Sequence, residues 1–438
     1  MKSKLILIIL LTSQAVVAQP NGIKIKAYDI DVNLDLSTRQ FLINVQLTIQ
    51  KNDSSSTFHL LLSHYAAIKD VRSTNQEIIP FHFSEQDTLF IKLPEKLVKC
   101  KKLTLIFSYA LPADSFLVDK GMFVMKRVDR WYPLQLGDIF NSTLRITVPD
   151  NQITLSNGTC KKKLLTNHMI TFVWKTTHES DLALFVFNPD SMEYKSEVVA
   201  GTRINFYFVP GLKDEQKIIS QVKNSFTFYS DFLGKYRHDN YTVVEIPADW
   251  FLGQSLQTLL LFTSKLPEYL PDPGAWVPHE VGHQWFGNTV IADEHAQGRW
   301  FVEESINEYL RAMYIEHIYG ADSLSRILKD VYLANYNAIV KNGQDVSILD
   351  VGSVNNSPEE AQCIYAKGPI VLHQVRRCMG EANWNSFIKK VYHDFKNRLL
   401  TLDDFKKYIS KYDHEGQCLR LFNTLLITKG IPEDLCFD

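Results

Sequence analysis

Short runs in which apolar and polar residues alternate fill the chain between about residue 22 and residue 200. Alternation with a period of two places every second side chain on the same face of an extended strand. Polar turn residues separate the runs, of which the clearest are 24–31, 40–50, 57–62, 88–93 and 103–109. The pattern therefore predicts an N-terminal domain of antiparallel sheets over residues 19–200.

Beyond residue 200 the apolar residues recur every three or four positions instead of every two. That spacing is typical of amphipathic helices, which bury one stripe of their surface. Two predicted strands, 204–208 and 241–246, flank a helical segment at 214–233, and further helices are predicted at 300–317, 323–337, 361–379, 384–397 and 402–411. Residues 201–438 are therefore predicted to form a second, mainly helical domain, which makes the chain a multi-domain α+β protein.

The first eighteen residues differ in composition from the rest of the chain. Lysines stand at positions 2 and 4, an apolar run covers 5–11, and small residues precede Gln19. This order is typical of a secretory signal peptide and is too short for a stable membrane span. The sequence predicts that residues 1–18 are removed and that the protein is exported to the periplasm or the extracellular space, without stable membrane insertion.

Charge and cysteine content narrow the range of partners. Lys and Arg number 47, Asp and Glu number 49, and no basic stripe is present, so a nucleic-acid partner is not expected. The six cysteines show no C-x-x-C spacing and are therefore not predicted to hold a metal. Cysteines of an exported protein can form disulfides. Proximity along the chain favours a bridge between Cys418 and Cys436, and the sequence leaves other pairings open.

The strongest chemical signal is the pentapeptide His-Glu-Val-Gly-His at residues 279–283. If residues 277–285 are helical, the imidazoles of His279 and His283 leave the same face one turn apart, within reach of one metal ion. Glu280 then points roughly 100° around the helix, where its carboxylate suits a general base beside a metal-activated water. The pattern occurs in zinc peptidases, but two solvated histidines near a carboxylate would also produce it.

The flanking residues favour the metal site. Gln-Trp-Phe-Gly-Asn follows at 284–288, and residues 303–310 read Glu-Glu-Ser-Ile-Asn-Glu-Tyr-Leu on a second predicted helix. Together these segments resemble the aminopeptidase N family of thermolysin-like zinc peptidases, in which HExxH is followed by WFGN or WWGN and later by a glutamate ligand in a phrase such as EGFAEY. The resemblance implies one Zn²⁺ per chain, held by His279, His283 and a glutamate of the second helix.

Two adjacent glutamates compete for the third ligand position. The family phrase favours Glu304, because Tyr309 then follows the ligand by five residues. The loop between His283 and Glu304 is two residues longer than the family pattern has. The apolar periodicity of the same helix turns Glu303 closer to the buried stripe. Glu304 is the predicted ligand, and Glu303 is the alternative.

Further segments carry the same resemblance. Trp-Tyr-Pro at 131–133, Ile-Thr-Val-Pro at 146–149 and Ser-Asn-Gly at 156–158 are similar to phrases of the family's saddle-like N-terminal β domain. Tyr-Ala-Lys-Gly at 365–368 resembles the family's catalytic tyrosine segment. The resemblance implies that the Tyr365 phenol donates a hydrogen bond to the oxyanion of the reaction. A core position is the alternative for this tyrosine.

The segment that binds the substrate N-terminus in the family is altered in this chain. There, a Gly-x-Met-Glu-Asn phrase supplies a glutamate for the free α-amine, whereas residues 253–257 read Gly-Gln-Ser-Leu-Gln. Gly253, Gln254 and Gln257 are the predicted substrate-binding residues, and Asp249 is the one acid nearby. Neutral amides bind an ammonium group more weakly than a carboxylate does. The sequence therefore predicts atypical recognition of the substrate N-terminus, with free and N-acetylated peptides cut at similar rates.

The sequence leaves two functions open. The first is an exported zinc metallopeptidase that hydrolyses peptide or protein substrates by a metal-activated water, with Glu280 as general base and Tyr365 at the oxyanion. The second is a non-catalytic peptide- or protein-binding relative that keeps the peptidase scaffold. The altered segment at 253–257 favours the second function. The presence of both Glu280 and Tyr365 favours the first, which is the function predicted.

Overall fold

The computed structural model describes residues 22–438 with the exception of 85, 86, 119, 120, 249–252, 271, 414, 431–434, 436 and 438. The predicted signal peptide, Asp249 and Cys436 lie outside the described residues. The strands are, in chain order, β1 (Ile23–Asp35), β2 (Gln40–Lys51), β3 (Thr57–Leu61), β4 (Ala67–Ser73), β5 (Phe81–Phe83), β6 (Thr88–Lys92), β7 (Lys102–Pro112), β8 (Phe123–Met125), β9 (Phe140–Pro149), β10 (Ile153–Ser156), β11 (Thr159–Thr166), β12 (Met169–Glu179), β13 (Leu184–Phe187), β14 (Glu193–Val199), β15 (Thr202–Phe208), β16 (Asn240–Ile246), β17 (Gly253–Leu256), β18 (Leu259–Thr263), β19 (Val290–Ala292) and β20 (Arg398–Leu400).

The N-terminal half is built on a seven-stranded sheet in the order β11-β12-β9-β1-β2-β7-β4. Its strands alternate buried and exposed side chains, as β2 does, because one face covers the core and the other is more open. Among the described strands of this sheet, neighbours are antiparallel except β1 and β9, which run parallel. The predicted β-rich N-terminal part is confirmed, with this parallel pair as a departure from the predicted pairing.

The Trp-Tyr-Pro phrase lies in the core of the N-terminal half. Trp131 and Tyr132 are fully buried. The Trp131 indole donates to the Leu182 carbonyl at 3.2 Å, and the Tyr28 hydroxyl donates to the Pro133 carbonyl at 2.8 Å. Aromatic side chains whose polar tip has a partner are stable in cores. In this structure the phrase therefore serves packing.

A five-stranded sheet in the order β14-β15-β16-β18-β17 separates two buried cores. Strands β15, β16 and β18 are parallel, and β14 and β17 are antiparallel edges. Val244 and Leu261 pack into the N-terminal core, whereas Val243 and Leu260 pack into the helical core. Burial on both faces explains why β18 begins with the continuous apolar run Leu-Leu-Leu-Phe. The domain boundary at residue 200 remains a prediction, because this sheet belongs to both cores.

The second half of the chain is mainly helical, as predicted. The helices are α1 (Glu95–Val98), α2 (Glu215–Leu233), α3 (Leu266–Tyr269), α4 (Val277–Gly282), α5 (Ile306–Tyr319), α6 (Ala321–Arg326), α7 (Ala334–Lys341), α8 (Pro358–Gln362), α9 (Gly368–Met379), α10 (Glu381–Phe395), α11 (Leu402–Tyr412) and α12 (Gln417–Ile427). None of these described helices has the length and apolar composition that a membrane span requires.

Three segments that the sequence predicts as ordinary α-helix are π-helical instead. They are Phe301–Ser305 before α5, Ile327–Leu333 between α6 and α7, and Cys363–Lys367 between α8 and α9. A π turn takes one more residue than an α turn, so it rotates the side chains that follow it. Two of the three segments carry the predicted site residues Glu304 and Tyr365, in keeping with the frequent occurrence of π turns at functional sites.

A disulfide joins Cys378 of α9 to Cys418 of α12. The predicted pairing of Cys418 with Cys436 is therefore wrong. Helix α12, which the sequence patterns did not predict, packs against α9 and brings together two cysteines that are 40 positions apart. A bridge forms where Cα atoms come within about 4.4–6.8 Å, and here helix packing decides which cysteines do so.

We expect peptide mapping of the non-reduced protein to recover Cys378 and Cys418 in one cross-linked fragment. Replacing both by serine should lower the free energy of unfolding by about 4 kcal/mol, the chain-entropy value for a loop of this length. Denaturant unfolding measures the loss. Cys100→Ser is the control, because Cys100 forms no disulfide. A fragment that links Cys418 to Cys436 would contradict the structure.

Candidate metal centre

The two histidines of the pentapeptide are positioned by α4, a helix of 6 residues. Pro278 lies in its first turn, where the missing N–H removes no intrahelical bond. The Tyr229 hydroxyl donates to the Pro278 carbonyl at 2.8 Å and fixes the start of the helix. The helix ends at Gly282 instead of the predicted residue 285. His279 and His283 nevertheless stand one turn apart, with ring centroids separated by 4.8 Å.

The chain folds back against the second histidine directly after α4. Gly287 has a φ of +131°, and a Cβ at this position would lie 2.8 Å from His283 Nδ1. Glycine tolerates both the backbone conformation and the close approach. His283 Nδ1 lies 3.2 Å from the Phe286 carbonyl and 2.8 Å from the Asn307 amide nitrogen, and in one of the two tautomers of the ring its N–H donates to that carbonyl. With the proton on Nδ1, the Nε2 lone pair is left for a metal ion.

Three donor atoms converge between α4 and the segment that precedes α5. His279 Nε2 lies 3.1 Å from His283 Nε2 and 3.2 Å from Glu304 Oε2. His283 Nε2 lies 3.5 Å from the same oxygen, and all three side chains are buried. In a tetrahedral zinc site with bonds of about 2.0–2.1 Å, neighbouring donors stand about 3.3–3.4 Å apart. Two imidazole nitrogens and one carboxylate oxygen at these separations fit a zinc ion.

A second layer of side chains orients His279. Its Nδ1–H donates to Glu308 Oε2 at 2.9 Å. Glu308 also accepts hydrogen bonds from the Arg311 guanidinium at 3.1 Å and from the Tyr332 hydroxyl at 2.9 Å. Outer hydrogen bonds of this kind fix the ring orientation and the tautomer of metal-binding histidines. The His279 Nε2 lone pair is therefore directed towards Glu304 and His283.

Burial and neighbouring charge set the pKa values of this cluster. Burial lowers the pKa of His279, but its hydrogen bonds to Glu304 and Glu308 outweigh that effect and raise the pKa to about 10. Burial raises the pKa of Glu308, whereas Arg311 and His279 lower it more strongly, to about 2. The cluster thus holds ionised carboxylates beside imidazoles that attract protons. A metal ion binds such a set by displacing the protons.

Glu280 is buried next to the edge strand β17. A Cβ on Gly253 would lie 3.3 Å from Glu280 Oε1, so a larger residue at the start of β17 would crowd this carboxylate. Burial raises the pKa of Glu280, and the nearby His283 and His279 oppose that rise. A carboxylate with a raised pKa accepts protons more readily near neutral pH than an ordinary surface carboxylate. The position of Glu280 is therefore compatible with a general base.

Tyr365 lies on the π-helical segment Cys363–Lys367, with its ring centroid 5.9 Å from that of His279. The hydroxyl is buried, has no partner of good hydrogen-bond geometry within the described part of the chain, and lies close enough to the Glu304 carboxylate for that group to raise its pKa. Burial, followed by the charges of Glu304 and Glu280, holds the pKa of Tyr365 well above its usual range. The phenol therefore keeps its proton, and a buried donor of this kind can bond to an oxygen of a bound substrate.

Ser305 and Gly368 couple the two π-helical segments that carry site residues. The Ser305 hydroxyl donates to the Ile364 carbonyl at 2.7 Å. A Cβ on Gly368 would lie 2.0 Å from Ser305 Oγ, so the contact requires glycine. Because Ser305 follows Glu304 and Ile364 precedes Tyr365, this contact fixes the carboxylate and the phenol relative to each other.

The predicted substrate-binding residues do not all reach the same cleft. Gly253 and Gln254 line the cleft that His283, Glu304 and Glu280 also line. Gln257 does not line it, because the chain turns towards the N-terminal half after Leu256. The Gln257 side chain is buried there and donates to the Thr177 carbonyl at 3.2 Å. The prediction that Gln257 binds substrate does not fit this placement.

Another wall of the cleft is charged, and the sequence did not predict it. Arg127 lies 2.5 Å from Glu294 and 3.6 Å from Asp181. Arg299 lies 3.6 Å from Glu294, and its guanidinium stacks on the Trp300 ring at 4.0 Å. Arg127 and Glu294 are 167 positions apart in the sequence. No local pattern indicates a contact between segments so distant, and only the fold brings them together.

Comparison with known proteins gives a family match over part of the chain and a structural match over most of it. Residues 273–424 match the family model described as Peptidase family M1 domain. The structure is similar to an M1 zinc metallopeptidase from Deinococcus radiodurans, with 16% sequence identity, a TM-score of 0.76 and coverage of 94% of this chain and 95% of that chain. A mutant M1 zinc metallopeptidase of that organism, bound to a Tyr-Ser-Ala substrate, matches with 15% identity, a TM-score of 0.73 and coverage of 94% and 95%. At these identities the likeness shows the fold, and no curated protein sequence matches the chain.

We expect the purified protein to bind one zinc ion per chain, as measured by elemental analysis after dialysis. His283→Ala should release the ion, because only two of the three donors remain. Glu304→Ala should weaken zinc binding far more than Glu303→Ala, since the Glu304 carboxylate lies within 3.5 Å of both Nε2 atoms. Circular dichroism checks that each variant is folded. A site emptied by Glu303→Ala alone would place the ligand one residue earlier.

Proposed function

We propose that this chain is a zinc metallopeptidase of the M1 family and that it hydrolyses peptide bonds with a zinc ion held by His279, His283 and Glu304. The observation that carries the proposal is the convergence of two imidazole nitrogens and one carboxylate oxygen at 3.1–3.5 Å. Glu280 and Tyr365, the two further groups that the reaction requires, lie beside this cluster. The proximity of Glu280 and Tyr365 to the three donors favours catalysis over metal storage.

Two residues beside the metal position have different parts in peptide hydrolysis: Glu280 transfers a proton, and Tyr365 donates a hydrogen bond. A bound zinc ion supplies Lewis acidity, which polarises the scissile carbonyl and lowers the pKa of water. Glu280 takes the proton of the attacking water and passes it to the leaving amine, a role that its raised pKa suits. Tyr365 donates its hydroxyl to the oxyanion, for which its lack of another described partner leaves it available.

We propose peptides or proteins as substrates, with atypical recognition of the substrate N-terminus. A structurally similar M1 peptidase is known with a Tyr-Ser-Ala substrate. On the β17 side, the cleft of this chain presents Gly253, Gln254 and Ser255, none of which is charged. A neutral wall pairs only weakly with an α-ammonium group. Removing the charge of the substrate N-terminus by acetylation is therefore proposed to change the cleavage rate by no more than about tenfold, or ~1.4 kcal/mol.

We also propose that the protein is exported. The signal-peptide pattern of residues 1–18 and the disulfide between Cys378 and Cys418 support this proposal. Structural disulfides persist in oxidising compartments such as the periplasm and the extracellular space.

The alternative function is that of a binding protein that retains the peptidase scaffold. The absence of an acid from residues 253–257 favours it. A binding protein, however, has no need of a buried carboxylate at Glu280 or of a buried phenol without a described partner at Tyr365. Burying such groups costs free energy that a catalytic role would explain.

We expect Glu280→Gln to keep zinc and to lower kcat by about 10²–10⁴-fold, the range for a lost general base. Turnover of a mixed peptide digest, followed by mass spectrometry, measures the loss, and elemental analysis measures the zinc. Glu381→Gln is the matched control, because Glu381 is exposed and lies on α10. Zinc retention together with full activity in Glu280→Gln would contradict the proposed role.

We expect Tyr365→Phe to keep zinc and substrate affinity and to lose about 2.7–4 kcal/mol of transition-state stabilisation, as the removal of one oxyanion donor does. The reason is that phenylalanine preserves the packed ring and removes only the hydroxyl. Steady-state kinetics separate the two effects, because kcat should fall while KM stays close to that of the wild type. An unchanged kcat would assign Tyr365 to the core.

A further inference from the structure

One acidic side chain that lines the cleft takes part in none of the ion pairs described there. Apart from the predicted ligand and base, the described acids that line the cleft are Asp181, Glu294 and Glu303. Arg127 contacts both Asp181 and Glu294, and Arg299 contacts Glu294. Within the described part of the chain, the Glu303 carboxylate forms neither a hydrogen bond nor an ion pair, although it is half-buried in the same cleft.

Arg299 is the cation whose charge acts most strongly on Glu303, where it opposes the rise in pKa that burial causes, but no ion pair joins the two side chains in the described part of the chain. The Arg299 guanidinium lies over the Trp300 ring at 4.0 Å and 3.6 Å from Glu294. Arg127 is shared between two other carboxylates. Of these three cleft acids, Glu303 is therefore the one whose carboxylate has no ion pair within the described residues, which leaves it for a cation brought by a substrate.

The backbone holds Glu303 close to the reacting centre. Glu303 and Glu304 are adjacent on the π-helical segment Phe301–Ser305, so their side chains diverge: Glu304 faces the histidines and Glu303 lines the cleft. The Asn307 amide donates to the Glu303 carbonyl at 2.7 Å and fixes this turn. Glu303 is therefore held next in sequence to a predicted metal ligand, on a turn that a side-chain hydrogen bond fixes.

We infer that Glu303 selects substrates that carry a cationic group beside the scissile bond, an inference that rests on the proposed peptidase function. A half-buried carboxylate without a partner gains a charge-assisted hydrogen bond from an ammonium or guanidinium group. The neutral β17 wall, with Gln254 and Ser255, offers such a group no competing carboxylate. The cation is a basic side chain or the α-ammonium of the substrate. The tolerance of N-terminal acetylation proposed above favours the basic side chain.

The test compares peptides that differ in one charge at a time. The probes are Ala-Ala-X-Ala-Ala amides in which X is lysine, arginine, norleucine or glutamate, each with a free or an acetylated N-terminus. Mass spectrometry identifies the bond that is cut, and kcat/KM is measured for the zinc-loaded protein. Lysine and arginine should exceed norleucine by about tenfold or more, the effect of one hydrogen bond to a charged group, and glutamate should be the poorest residue.

Glu303→Gln should reduce the ratio of lysine to norleucine to about one, because the amide keeps the shape and loses the charge. Asp330→Asn is the charge-matched control, since Asp330 is exposed outside the cleft, and it should keep the ratio. A preference for lysine that survives acetylation identifies the side chain as the cation. If acetylation abolishes cleavage and residue X has no effect, the cation is the α-ammonium. The inference then stands with that source, provided that Glu303→Gln abolishes the dependence of the rate on acetylation.

Three results would overturn the inference: no cationic preference in the wild type, a preference that Glu303→Gln leaves intact, or loss of zinc from Glu303→Gln, which would make Glu303 a ligand. Absence of all cleavage would instead defeat the proposed peptidase function. Calorimetry on zinc-loaded Glu280→Gln decides the inference in that case, because tighter binding of the lysine peptide than of the norleucine peptide, lost on adding Glu303→Gln, requires no turnover.

Discussion

The burial of three ionisable donors against one another is the constraint on which the rest of the structure depends. The donor atoms of His279, His283 and Glu304 lie within 3.5 Å of each other, and all three side chains are buried. Charges buried in this way are costly unless they are paired and hydrogen-bonded. Glu308 accepts a hydrogen bond from His279 Nδ1, and Arg311 in turn compensates the charge of Glu308. A divalent ion bound between the three donor atoms would satisfy all of them at once, which explains why this costly arrangement can be stable.

The backbone meets this constraint with irregular helices. Glu304 and Tyr365 both lie on π-helical segments, and the Ser305 hydroxyl joins those segments through the Ile364 carbonyl. The close contact depends on Gly368, since any Cβ there would collide with Ser305. A π turn shifts the direction of the following side chains. In this protein such turns allow two long helices to present a carboxylate and a phenol to one point.

The features predictable from the sequence are those that depend on local spacing. His279 and His283 are four residues apart, so helix geometry alone places them together. Glu304 was favoured by a family phrase, and the structure brings its carboxylate to both histidines. The π turns, the partner of Cys418 and the turn that buries Gln257 depend on how distant segments pack. Period-based patterns contain no information on such packing, because they describe one element at a time.

The charged cleft wall shows why the β-rich half belongs to the site. Arg127, from the N-terminal half, is the cation that compensates both Asp181 and Glu294. Without it, Glu294 would keep only a 3.6 Å contact to Arg299 and would be buried largely unpaired. The five-stranded sheet also connects the two halves of the chain, because one of its faces is buried in each core. The cleft is therefore a property of the two halves together, even though every predicted metal ligand lies in the helical half.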